Sequence, residues 1–116
     1  MQRFVYKVCP KLNWEAAERD GTVPKSSDDR RDGFLHLSTA DQLSDTLAKH
    51  FAGQPDLVLI QIRLRIVEKS VRWEPSLSGK VYPHAYEDVP VSAVEGVWPL
   101  TLDDDGRHTL PECLPT

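Results

Sequence analysis

Two short segments of this sequence gather the side chains that can do chemistry. The first is Asp32-Gly33-Phe34-Leu35-His36-Leu37-Ser38. Alternate side chains of a strand share a face, so Phe34, His36 and Ser38 point one way and Leu35 and Leu37 the other. With the leucines in the core, His36 and Ser38 line whatever lies opposite. Histidine is the side chain best suited to serve as acid, base or donor to an anion near neutral pH. The same pattern also suits a half-buried histidine bonded to backbone, and Ser38 also reads as a helix cap. These readings of Ser38 are compatible, because a capped helix start presents free N–H groups and a positive dipole end to an anion.

The second segment is Trp73-Glu74-Pro75 together with Tyr82-Pro83-His84-Ala85-Tyr86-Glu87. Aromatic surfaces with a few convergent polar groups describe a small-molecule pocket. Tyr82 and Tyr86 are expected to fill the core, with stacking on a ligand ring as the other role for Tyr86. Pro83 stiffens the approach to His84.

Other chemistry is poorly represented. His36, His84 and Cys9 have no paired ligand spacing of the C-x-x-C or H-E-x-x-H kind, so no metal is expected. Neither a glycine-rich phosphate loop nor G-x-S-x-G occurs, which counts against Walker-type ATPases and α/β-hydrolases. His50 is explained by a helix C-terminus and His108 by a solvated turn. The arginines at 30, 31, 63 and 65 read as solvated, and can otherwise donate to phosphate.

The elements that must position these groups follow from pattern. Residues 4–9, rich in β-branched and aromatic side chains and stopped by Pro10, predict a first strand. Asn13 is placed to cap a short helix over 14–20, with Gly21 beyond its end. Residues 22–32 hold almost nothing apolar and read as a mobile, lid-like loop. After a strand over 34–37, Ser38 or Thr39 caps a helix, with Asp41 or Gln42 at capping-box spacing. Leu43, Leu47 and Phe51 form that helix's buried stripe. Residues 57–66 predict a central strand, with Ile60, Ile62, Leu64 and Ile66 on one face and Gln61, Arg63 and Arg65 on the other. Further strands are expected over 71–74, 81–82, 91–94 and 97–102, then a turn at 103–106 and an extended tail.

These 116 residues are the size of one domain, with its core over about 4–102 and the tail over 103–116. The expected architecture is α+β, two early helices against a mostly antiparallel sheet. A net charge of −4 counts against clamping duplex nucleic acid, which needs a broad excess of Lys and Arg. The longest apolar stretch falls far short of the roughly 20 residues that span a bilayer, so no membrane partner is expected and the cytoplasm is the expected location. There Cys9 and Cys113 are expected to stay reduced.

The residues Tyr6-Lys7, Trp14-x-x-Ala17, Gly21, the 32–39 segment with Gln42, Trp73-Glu74 and Tyr82-Pro83-His84-x-Tyr86 occur in an order that resembles the bacterial family called domain of unknown function 952. That family is in turn similar to proteins of the ADP-ribosyltransferase-like fold, and more distantly to the RNA 2′-phosphotransferases, which use NAD and carry a comparable histidine-x-leucine-serine strand before a helix. The resemblance implies two small, mostly antiparallel sheets around an NAD-sized cleft. It departs at the first strand, where Lys7-Val8-Cys9 replace a histidine-glycine-threonine motif, which counts against NAD in the usual pose. The candidate catalytic groups are thus His36, Glu74 and His84, and the candidate ligand contacts are Ser38, Thr39, Trp73, Tyr86 and Lys7. They suit an enzyme of the transferase class acting on a nucleotide-like or phosphorylated small molecule. The alternatives are a non-catalytic ligand-binding module, or a protein-binding module using the edge at Val97-Trp98-Pro99.

Overall fold

The computed structural model describes residues 2–116. Strand β1 (Phe4–Pro10) runs into helix α1 (Lys11–Asp20), and helix α2 (Ser27–Asp32) leads to the two-residue strand β2 (Leu35–His36). Helix α3 (Leu43–His50), strand β3 (Leu57–Arg63) and the single helical turn α4 (Leu64–Val67) follow. Strands β4 (Val71–Pro75), β5 (Val81–Ala85), β6 (Val94–Leu102) and β7 (His108–Thr109) complete the chain. The fold is mixed α+β, with one sheet ordered β1-β3-β6-β7 and a second ordered β2-β5-β4. Every strand pair in both sheets is antiparallel.

Between β1 and β6, strand β3 is buried on both faces. Val58, Ile60 and Ile62 enter one apolar cluster, and Leu57 and Leu59 enter another with Tyr6 and Leu43. Burial of each such side chain stabilises the fold by about 1.5–3 kcal/mol. The expected alternation therefore holds only in part. Gln61 lies on the supposedly polar face yet is 4% exposed, and its Nε2 donates to the Tyr6 hydroxyl at 3.1 Å. The strand also stops at Arg63, where the chain turns helical, so Ile66 is exposed instead of extending the apolar row.

Three further expectations are corrected. Helix α1 begins directly after Pro10, three residues earlier than a cap at Asn13 would start it, and Asn13 lies inside its first turn. The 22–32 stretch is built structure. Val23 is buried and its N–H donates to the Val89 carbonyl, while Ser26 and Asp29 form a reciprocal capping box that starts α2. Gly33, at φ 81°, closes that helix in the left-handed region that glycine enters without strain. Residues 91–93 form a 3-10 turn, and strand β6 starts only at Val94.

The tail is docked. β7 pairs with the end of β6, Leu110 and Leu114 pack on the second cluster, and the Tyr6 hydroxyl donates to the Pro115 carbonyl. Trp98 packs on the same cluster. No helix of the described residues is long and apolar enough to cross a membrane.

Candidate functional site

The segment after α2 crosses from one sheet to the other. His36 pairs with His84 of β5, and two residues later Ser38 exchanges backbone hydrogen bonds of 2.8 and 2.9 Å with Tyr6 of β1. Leu35 and Leu37 are buried, and His36, Leu37 and Ser38 all border a cleft at the junction of the sheets, with Ser38 itself buried.

His36 is held by α2. The Asp29 carboxylate accepts from the His36 N–H at 3.0 Å and meets its Nδ1 at 2.7 Å through one oxygen. Its other oxygen accepts from Lys7 Nζ at 2.6 Å and from the Ser26 N–H at 2.8 Å. Asp32 reaches His36 Nε2 at 3.0 Å. Burial pushes the Asp29 carboxyl up, but the His36 ring and the Lys7 ammonium outweigh it and hold it far below the usual carboxylate range. Arg31 likewise holds the Asp32 carboxyl down.

A second histidine–carboxylate pair lies on the neighbouring strands. Glu74 of β4 meets His84 Nδ1 at 2.8 Å and accepts from the Tyr86 hydroxyl at 2.6 Å. The Tyr86 hydroxyl first, and then the His84 ring, hold the Glu74 carboxyl below its usual range. An ionised Glu74 favours the proton on Nδ1, which turns Nε2 into an acceptor. Nε2 has no protein partner among the described residues. Phe34 stacks on His84 with centroids 4.1 Å apart and lies 4.6 Å from His36, which fixes both rings, themselves 5.5 Å apart.

The cleft has two lobes. The first, about 150 Å³, is lined by His36, Leu37, Ser38, Thr46, Lys49, His50, Ser76, Tyr82 and His84. The second, about 200 Å³, lies between β1, α1 and the start of α2, and shares His36, Ser38, Thr46 and His50 with the first.

The structure therefore gathers His36, Ser38 and His84 at one lobe, with Glu74 and Tyr86 behind His84, and sets Lys7 on the wall of the other. Tyr86 sits at the surface, 37% exposed under the Arg72 guanidinium, and does not fill the core. Trp73 and Thr39 lie outside both lobes. Trp73 is 43% exposed on the face of β4 that pairs with Pro83. Thr39 is buried at the start of a 3-10 turn, its N–H donating to Gln42 Oε1. Ser38 is no cap, since its hydroxyl meets that of Thr46 at 2.7 Å.

Residues of the first lobe's wall, and the buried partner of His36, do not stand out in the sequence. Thr46, Lys49 and His50 stand at i, i+3 and i+4, a spacing that sets them on one face of α3 and signals a polar wall. Asp29 is hidden inside a hydrophilic run, and only the Ser26-x-x-Asp29 capping spacing marks it. Among the described residues no cluster of three metal-ligating side chains occurs.

The comparisons with known proteins bear on this arrangement. The profile described as "Protein of unknown function (DUF952)" matches residues 8–97. The chain belongs to that family. It is also similar to a solved Caulobacter crescentus protein, CC0527, at 37% identity over 91% of this chain and 93% of that one, with a TM-score of 0.86 for the crystal structure. The solution NMR structure of CC0527 gives a TM-score of 0.81 over 91% of each chain. No curated protein matches. Membership of DUF952 thus carries the fold to this chain, and the reading of the cleft rests on its own residues.

Proposed function

We propose that this DUF952 protein binds a nucleotide-like or otherwise phosphorylated small molecule in the cleft between its sheets, with the His84–Glu74 pair able to move a proton there. One observation carries this reading. In a chain of net charge −4, the first lobe is lined by three histidines, a lysine and four hydroxyl groups, with no carboxylate among its lining residues. Such a lining suits an anion, with Lys49 and the hydroxyls of Ser76 and Tyr82 as donors. His84 Nε2 is the acid–base group and Glu74 sets its tautomer. His36 and Ser38 are contacts for the anion.

We read the split pair of antiparallel sheets as an ADP-ribosyltransferase-like architecture, and the acid–base capacity of the His84–Glu74 pair as serving a transfer reaction. Lys7 is drawn into the Asp29 ion pair, which counts against NAD held as those transferases hold it. A second reading, a binding module without turnover, is favoured by the commitment of both His36 nitrogens to carboxylates.

Titration of isotope-labelled protein with NAD, ADP-ribose and nucleoside phosphates, followed by a search for product, tests both readings. Shifts at Lys49, His50 and His84 with product that disappears in His84→Ala support the enzyme. The same shifts without product support the module. Folded His36→Ala and His84→Ala proteins that bind every ligand as tightly as the wild type would remove the proposed site.

A further inference from the structure

The second lobe is the larger of the two, about 200 Å³. Val8, Cys9, Pro10 and Phe51 give it apolar wall, beside the charged Lys7, Lys25, Asp28 and Arg31. An apolar cavity of about 150 Å³ is enough to hold a benzene ring. Arg31 stands at its rim with its N–H groups already turned to Asp28 and Asp32. A guanidinium whose edge is occupied offers a ligand its flat face, which stacks on an aromatic ring. The four residues shared by the lobes form a common ridge, so a ligand can lie across both.

We infer that the second lobe is a ring-binding subsite, and that the ligand is an aromatic or heteroaromatic ring joined to the anion held in the first lobe. This inference rests on the anion reading above and narrows it. A bare phosphate or the phosphate of an open-chain polyol uses one lobe only and forgoes the apolar burial.

Three probes separate the possibilities on the full labelled chain: inorganic phosphate, glycerol 3-phosphate and phenyl phosphate. All three are expected to shift Lys49, His50 and His84, and phenyl phosphate alone to shift Val8, Cys9 and Phe51. Phenyl phosphate is expected to bind at least about tenfold more tightly than glycerol 3-phosphate. Asn13 is exposed on α1 and lines only the second lobe, so Asn13→Trp should close that lobe without disturbing the fold. That variant is expected to lose the preference for phenyl phosphate and to bind inorganic phosphate as the wild type does. Equal affinities for the two esters, shifts confined to the first lobe, or a preference that survives Asn13→Trp would overturn the ring subsite and leave the anion site standing. Silence toward all three probes would overturn both.

Discussion

Single residues at the cleft are controlled by the charges placed against them. His36 is the clearest case, since Asp32 occupies the Nε2 atom that an anionic ligand would use. A carboxylate 30% exposed on the last residue of a short helix is a displaceable partner, whereas Asp29, 1% exposed, is not. Asp32→Asn removes the competing charge and is expected to tighten inorganic phosphate binding by roughly threefold, as read by titration calorimetry. Weaker binding would show that Asp32 orients the ring instead of competing for it. Cys9 gives a second prediction. Burial pushes its thiol up to about 11, against the pull of Lys7, so the folded chain resists ionising it. A folded-state value raised above that of the unfolded chain leaves stability intact below about pH 8.5 and removes it as pH rises toward 11. Denaturation measured across that window should show a decline that Cys9→Ala lacks.

At the level of elements, α2 and β1 are joined by one ion pair, and that joint shows what pattern can and cannot reveal. Lys7 and Asp29 are 6% and 1% exposed, 22 residues apart in sequence. A lysine in a strand and an aspartate in a polar run each look solvent-facing alone, and only their meeting makes burial affordable. That is why the 22–32 segment read as a loop while its capping box went unused. The burial of Leu35 and Leu37 was legible because alternation is local, and so was the Leu43–Leu47 stripe. Gln61 and Tyr86 were not, because the Tyr6 and Glu74 that bond them lie far along the chain. Asp29→Asn leaves Lys7 buried without its counter-charge and is expected to cost about 3 kcal/mol in urea denaturation. Lys7→Met combined with Asp29→Asn should recover part of that loss, because the ammonium is gone and the amide still offers an acceptor to the backbone N–H groups of Ser26 and His36. The carboxyl of Asp29 is held low, so its contribution is present above about pH 4 and fades as pH falls below that value. Asp29→Asn should accordingly flatten the acid limb of the stability curve.

Across the whole molecule, stability is distributed unevenly between the two sheets, and the cleft lies where they meet. All residues of β3 from Leu57 to Ile62 are buried and flanked by strands on both sides, whereas no residue of β4 is buried and its outer edge pairs with no strand. Edge strands with little burial open locally, while doubly buried central strands open only with the whole chain. Hydrogen exchange should therefore find the β3 amides slowest, at the rate of global unfolding, and those of β4 faster by at least about a hundredfold, a gap of ~3 kcal/mol. β5 should lie between, since it is paired on both sides and carries His84 into the cleft. A ligand that bridges the lobes touches β5 on one sheet and β1 on the other, so its binding energy is set against opening of the smaller sheet. At a hundredfold excess over Kd, binding adds about 2.7 kcal/mol to any opening that destroys the site. Exchange in β5 and β2 should then slow toward that of β3, while β7, which takes no part in the cleft, keeps its rate until global unfolding becomes limiting. Uniform slowing of every strand would show instead that the smaller sheet never opens on its own.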